Sequence, residues 1–565
     1  MLDIVRDSTV GQILNWASSG RILPYPDQRK GYIVPSRFLE SPSRPSSLQL
    51  PSLPAEPFPR SATGDVTLIN EPGTLASPPK ADIDLEKALD SKPEVIAEQP
   101  PYPFLVTWEE NDSDNPRNWS RNKRLFVGFL ISFLTFSVYI GSAIYTSSIP
   151  SLIATFGVSQ VVATLGLTLF VAAYGIGPMF LAPLQEMPAF GRNPVYLAGL
   201  FLFVVFQFPV IYAKNIGTIL AFRFLAGFVG SPALATGGAS MMDIFEPLQA
   251  PYAIGVWSIG AVCGPTLGPV IGGFAAQAKG WQWPIYELLW ISAFAFVVLA
   301  FFLPETSGET ILIRRAERLR QLTGNPLIKT QYEVDRQESE TVLSLATENF
   351  SRAIQLTLEP AVAFANLYIA LVYAILYLWF EAFPLVFHDI YHFAYPGLPF
   401  VAFVASAIFT FIAYVLYQHY HLRPRVLNDP DFAPENRLEL GLVAGAFIPI
   451  SLLMFGWSAR ASVHWIVPVI GAALYLPGVF GLFQVILLYL SIGWPRYAAS
   501  ILAGNDLFRS TIASVFPLFG VAFFHRLGLG GASTLLAALS ILMIPLLYLL
   551  IKYGAVLRAR SAFAN

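Results

Sequence analysis

From about residue 125 onward the chain alternates long apolar runs with short polar breaks. Each run is near 20 residues, enough for a helix rising 1.5 Å per residue to cross a bilayer. Six runs lie at 125–149, 161–183, 195–213, 218–239, 252–274 and 284–303. A charged stretch from Glu305 to about Arg352 follows. Six more runs lie at 360–387, 398–417, 441–457, 465–492, 498–524 and 533–553. The pattern predicts an all-α integral membrane protein with a six-helix bundle over 121–304, a linker over 305–355, a second six-helix bundle over 356–554 and a short tail over 555–565. Ahead of the first run, residues 1–120 are rich in Pro, Ser, Asp and Glu, as in SRPSSLQLPSLPAEPFPRS. Such a composition buries too little apolar surface to fold alone, which predicts a largely disordered tail.

The linker reads PETSGETILIRRAERLR, with Ile311, Leu312, Ala316 and Leu319 at helical spacing among arginines. That predicts a basic amphipathic helix along the membrane surface, with calmodulin-like binding as the alternative. Composition agrees with a membrane protein: 55% of residues are hydrophobic and only 13% charged. A soluble chain would carry roughly twice that charge. The net charge of -2 hides an asymmetry. With the N-terminus placed in the cytoplasm, nineteen Lys and Arg flank the spans inside, against four outside: Lys214, Lys279, Arg460 and Arg526. This is the positive-inside bias, and it predicts both termini in the cytoplasm. The sequons at Asn111, Asn118 and Asn349 then stay unmodified. Trp281 and Trp283 fall where interface anchors are expected. The single cysteine, Cys263, excludes an intrachain disulfide.

The fifth run carries an unusual pattern. Gly260, Gly264, Gly268 and Gly272 recur every fourth residue, which stacks them on one helix face and lets another helix approach closely. Pro265 and Pro269 follow at the same spacing and should bend the helix. The stripe reads as a hinge or sliding seam, or as passive packing.

Charges inside the runs are few, and each costs at least about 2.5–3.5 kcal/mol at mid-bilayer unless it faces protein or water. Arg223 either tunes a protonatable or anionic partner in a central cavity or makes a structural ion pair. Glu381, set between aromatics in LYLWFEAFPLVF, suits a site that binds and releases a proton; the alternative is a solvated acid at the interface. Glu287 is a second such acid. Asp506 and Arg509 are spaced to pair along one helix, and Asn505 beside them offers a hydrogen bond to a substrate. His388, Asp389 and His392 read as a solvated loop rather than a metal centre. The chain has no P-loop, GxSxG or HExxH motif, so neither ATP-driven transport nor enzymatic chemistry is expected.

The six-linker-six layout resembles the major facilitator superfamily, in which substrate binds between two halves. Several stretches are similar to fungal twelve-spanner drug:proton antiporters of the azole and multidrug-resistance type. Gly264-Pro265, Gly268-Pro269 and Gly272-Gly273 resemble the antiporter motif. Arg223 in RFLAGFVGSPALATGG resembles the fourth-span motif linked to proton coupling. PLQEMPAFGRNPVY resembles the signature loop between spans two and three, with Glu186 where aspartate is usual and extra residues before Gly191-Arg192. GWQWPIYELLW, FFLPETSGETILIRRA, NDLFRS and ALYLPGVF are similar to the same group.

The resemblance implies two rocking bundles around a central cavity, with Gly260 to Gly273 as the seam of one half against the other. A bulky residue at Gly264 or Gly268 would then impair transport more than folding. It implies proton coupling through Arg223, Glu381, Glu287 or Asp506, and a gating loop of Glu186, Gly191 and Arg192, in which Glu186 and Arg192 can pair. The substrate-cavity candidates are Asn505, Gln484, Phe380 and Tyr145. The expected activity is efflux of amphipathic organic compounds (drugs, azole fungicides or secondary metabolites) in exchange for protons. The energy source is the proton gradient, with no cofactor, no metal and no nucleic acid. The expected setting is the plasma membrane rather than the vacuole, with one copy of the chain sufficient. The alternatives are a dedicated exporter of one endogenous toxin, a proton-coupled uptake carrier and a non-transporting sensor.

Overall fold

The structure, a computed structural model, describes residues 2–39, 102–335, 342–429, 432–494, 497–561 and 563. Among them, eleven continuous helical stretches are long and apolar enough to cross a membrane. The last, Ser500–Ala559, is interrupted at Gly528, whose φ of 70° and ψ of 159° suit glycine alone. Twelve crossings result. Spans 1 to 6 are Arg121–Phe156, Gln160–Glu186, Arg192–Ile211, Ile216–Ile244, Ala250–Lys279 and Trp283–Phe302. Spans 7 to 10 are Pro360–His388, Leu398–Asn428, Pro434–Ser458 and Ile466–Gly493. Spans 11 and 12 are 500–527 and 529–559.

Local chemistry sets several boundaries. Ser120, Ser159 and Asn215 accept the backbone N–H groups of Lys123, Val162 and Thr218 at 3.4, 3.3 and 2.9 Å, satisfying donors at the starts of spans 1, 2 and 4. Gly157 at φ 64° ends span 1. Spans 1–6 form one bundle and spans 7–12 a second, meeting where span 2 packs on span 11 and span 5 on span 8. Span 5 runs unbroken from Ala250 to Lys279 through both prolines, so neither ends the helix. Trp281 is buried against Phe156, 5.6 Å between ring centroids, and anchors the protein interior rather than the interface.

On the face where span 1 begins, the sequence reading needs correction. Residues 2–39 and 102–120, expected within a disordered tail, form a folded cap; the expectation for 40–101 lies outside the described residues. Helices Leu2–Asp7 and Thr9–Ala17 dock beside the linker, and Leu105–Val106 pairs as a parallel strand with Lys329–Thr330. The linker helix Gly308–Thr323 does not lie with its apolar side on a membrane. Ala316 and Leu319 are buried with Phe38, Val106 and Ile328. Its arginines are also occupied. Arg315 binds Asp112 and Asp114 at 2.5 and 3.0 Å, Arg318 binds Asp27 at 2.7 Å, and Arg320 binds Glu333 at 3.0 Å. The acids come mainly from the cap, which supplies both the charges and the apolar cover that the linker helix lacks.

Candidate functional site

Two adjoining cavities lie between the bundles, about 70 and 60 Å³ in volume, sharing Trp257, Ser258, Phe483, Leu487 and Arg509 in their walls. Span 5 contributes Trp257 and Ser258, span 10 Phe483 and Gln484, and span 11 Asp506 and Arg509. The Gln484 side-chain amide donates to Ser258 Oγ at 2.6 Å, a direct polar link across the bundle interface. Asp506 and Arg509, one turn apart, form a buried ion pair, and Ser510 Oγ donates to Asp506 at 3.3 Å. The Arg509 guanidinium lies 5.4 Å from the ring centroids of both Tyr373 and Phe483. Behind it, the Tyr174 hydroxyl of span 2 is 2.5 Å from Tyr373 and 2.9 Å from Tyr377, both of span 7. Apolar walls with one desolvated charge pair and a few hydroxyls suit an amphipathic organic molecule better than a bare ion.

The sequence pattern of the Major Facilitator Superfamily matches residues 131–517. The chain belongs to the major facilitator superfamily. It is 43% identical over 501 residues to Transporter mfs1 of Schizosaccharomyces pombe, covering 87% of this chain and 93% of that one. It is 40% identical over 472 residues to Multidrug transporter FLR2 of Candida glabrata, covering 82% and 79%. It is 39% identical over 474 residues to Fluconazole resistance protein 1 of Saccharomyces cerevisiae, covering 82% and 85%. The structure of the proton:xylose symporter XylE bound to 6-bromo-6-deoxy-D-glucose superposes with a TM-score of 0.54 at 12% identity, over 77% of this chain and 97% of that one. That likeness shows the major facilitator fold.

The residues singled out from the sequence scatter over several places. Gln484 and Asp506 line the cavity. Asn505 does not. Its side-chain amide donates to Asn366 Oδ1 at 2.7 Å inside the second bundle. Tyr145 lies inside the first bundle and donates to the Ala163 carbonyl at 2.9 Å. Phe380 packs on Tyr377 and Phe400, 5.4 and 5.5 Å between centroids, beyond the cavity wall.

Arg223 is fully buried and reaches no carboxylate among the described residues. Its Nε and one terminal nitrogen donate to the carbonyls of Gly166 and Gly141 at 3.0 and 2.7 Å, and its guanidinium sits over Tyr145 and Phe170 at 4.7 and 4.3 Å. It therefore ties spans 1, 2 and 4 together rather than facing an anionic partner. Glu381 is buried on span 7 beside Gly520 of span 11, and no described residue hydrogen-bonds its carboxylate. Glu287 is half-buried near the start of span 6, away from the cavity.

The glycine stripe faces a different neighbour from the one expected. A Cβ at Gly260 would lie 2.6 Å from the Ser132 carbonyl oxygen, at Gly264 2.8 Å from Tyr139 Cβ, at Gly268 2.6 Å from the Ile144 nitrogen and at Gly272 2.7 Å from the Ile144 oxygen. All four partners belong to span 1, so the seam joins two helices of the same bundle. Gly273 has only Ser147 Oγ at 4.0 Å. The other side of span 5, with Ser258 and Pro265, turns to the second bundle. Pro269 approaches Gly397 of the second bundle at the far face.

The loop between spans 2 and 3 is held by groups the sequence did not point to. Arg192 pairs with Asp243 at the end of span 4 at 2.5 Å, not with the exposed Glu186. Buried Glu305 accepts the N–H groups of Arg192, Asn193, Thr306 and Ser307 at 3.1, 3.3, 2.9 and 3.0 Å. Gly191 has φ 79°, and any side chain there would run into Glu305. Asp243 carried one usable signal, as the sole acid within its span. Tyr174, Tyr373 and Tyr377 carried none.

Proposed function

We propose that this chain exports amphipathic organic compounds, azole antifungals and other drugs among them, across the plasma membrane in exchange for protons. The observation that carries the reading is the Asp506–Arg509 pair set in an aromatic cavity between the bundles, together with relatives named for multidrug transport and fluconazole resistance. The face where span 1 begins is cytoplasmic in this reading, in keeping with the sequence count of nineteen Lys and Arg inside against four outside.

A proton on Asp506 neutralises the carboxylate and frees Arg509, leaving a net positive charge in the cavity wall. A proton and a cationic or polarised substrate thus compete for one carboxylate, which couples their movements in opposite directions. A complete switch between inward- and outward-facing states requires a differential affinity of about 5.5 kcal/mol. Glu381, buried near the opposite face, is a second carboxylate on the proton's route. No cofactor enters the scheme, and one copy of the chain holds every group it uses.

The test is efflux of a fluorescent amphipathic dye from cells expressing the chain, with and without a protonophore. Efflux that stops when the gradient collapses supports exchange. Efflux that continues unchanged contradicts it.

A further inference from the structure

A second space, larger than the central cavities, lies among the described residues. A groove of about 750 Å³ opens on the membrane-facing side of the second bundle, between spans 8, 9 and 10. Its walls include Ala413, Tyr414, Val443, Phe447, Ile470 and Phe480. Val443 and Ile470 at its rim are 61% and 47% exposed, so the groove is open to lipid. Its volume lies within the range of about 300–1,000 Å³ typical of pockets for drug-sized ligands. The central cavities are far smaller.

Phe480 connects the two spaces. Its ring meets Tyr414 at 5.5 Å, edge to face, at the floor of the groove. The same residue lines the central cavity with Tyr373, Phe483 and Arg509. Phe480 is thus a wall residue of both the groove and the space beside the charged pair. The backbone around it has little room to move. A Cβ at Gly481 would lie 2.6 Å from Ala444 Cβ, and one at Gly478 2.6 Å from Ile448 Cγ1, so spans 9 and 10 are already in close contact. Ser406 Oγ donates to the Ala473 carbonyl at 2.7 Å and ties span 8 to span 10. With the helices in close contact on both sides, a side chain such as the Phe480 ring, rather than the backbone, is the part of the floor able to turn.

We propose that this groove is the way in from the bilayer for amphipathic substrate, with Phe480 as its gate. The occupant is a membrane-partitioned organic molecule whose apolar body lies along spans 8 and 10 and whose polar or cationic end reaches Asp506 and Arg509 once the ring swings aside. Continuity with the central cavity favours a transported molecule over a resident lipid. The inference rests on the export reading above.

The probe is rhodamine 6G, a lipophilic cationic dye, with the full-length chain. In a Cys263→Ser background that retains dye efflux, Ala413→Cys places a thiol in the groove. The dye should slow maleimide labelling of that thiol several-fold, at the concentrations that half-saturate efflux. Ala413→Trp should raise the half-saturating concentration about ten-fold at matched surface levels. Ile412→Trp, one residue away and outside the groove, should leave efflux as in the wild type. Efflux with no protection of the Ala413→Cys thiol and an unchanged Ala413→Trp would overturn the gate while leaving export standing. Protection by dye without efflux in any form would instead overturn the export reading, and the groove's role as a way in with it. Protection by plain phospholipid vesicles as strong as by dye would reassign the groove to lipid.

Discussion

The hydroxyl of Tyr174 in the first bundle lies 2.5 Å from that of Tyr373 in the second, and 2.9 Å from that of Tyr377. All three side chains are buried. Gln484 and Ser258 make a further polar contact across the two halves. A buried hydroxyl that loses its partner costs about 1–3 kcal/mol. Tyr174→Phe removes both of its own bonds to span 7, whereas Tyr377→Phe removes one of the two. We expect dye efflux at matched surface expression to fall further in Tyr174→Phe than in Tyr377→Phe, by several-fold or more in the former. Equal, wild-type efflux in both would show the hydroxyls to be spectators.

The glycine stripe supports a prediction about folding. The nearest atom to each of its four glycines is a backbone or Cβ atom of span 1, which cannot swing away as a flexible side chain would. Gly268→Leu is therefore expected to lose the folded protein, read as loss of the monodisperse peak in detergent size exclusion. Gly273→Ala, with only Ser147 Oγ at 4.0 Å, should be tolerated. This replaces the expectation of a bulky residue that spares folding and blocks transport. A well-folded, transport-dead Gly268→Leu would restore that expectation.

The cap has a pH window. Burial pushes the Asp112 carboxyl up, but the hydrogen bond and charge of Arg315 and the N–H of Asp114 outweigh it and hold the group below its ordinary value. A carboxylate with a lowered value in the folded state adds stability above its unfolded value, about 3.9, and loses it as the pH falls through the lower folded value. The cap should thus stay docked from pH 7 to about pH 4.5 and loosen only below about pH 4. Hydrogen exchange over residues 102–120 reads this directly. Asp112→Asn should raise exchange there at pH 7, whereas release beginning near pH 6 would assign the switch to other groups.

Much of this architecture was legible because membrane crossing imposes a length and a polarity that show in sequence. The apolar runs, the linker helix with its basic face and the three-residue spacing of Asp506 and Arg509 follow from local pattern. Contacts between residues far apart did not. Tyr174 and Tyr373 are 199 residues apart, and a tyrosine in an aromatic-rich helix carries no mark of the face it occupies. Asp243 and Glu305 meet Arg192 across 51 and 113 residues. The cap has too few apolar residues to look foldable alone. It folds because the linker helix offers arginines to its acids and an apolar side to Phe38 and Val106. Arg223 misled for the same reason, since an arginine in a span suggests an anionic partner and here backbone carbonyls take that place.

Arg223 can be separated from the coupling groups by experiment. Arg223→Ala removes the side-chain bonds to the Gly141 and Gly166 carbonyls that tie spans 1 and 2 to span 4. We expect it to lower the melting temperature of the purified protein. Asp506→Asn keeps the shape but leaves the buried Arg509 charge without its partner, so it too should lower the melting temperature, and what sets it apart is the loss of proton coupling in the protein that still folds. A thermally wild-type Arg223→Ala that has lost coupling would return the arginine to the proton's route.

Proton exchange at Asp506 is tested most directly in proteoliposomes that hold substrate and a pH-sensitive fluorophore. On dilution into substrate-free buffer, substrate leaves down its gradient. The wild-type chain should acidify the lumen as protons enter, and Asp506→Asn should not. Substrate release with no change in lumenal pH, with lumenal alkalinisation, or with full acidification in Asp506→Asn would contradict the account.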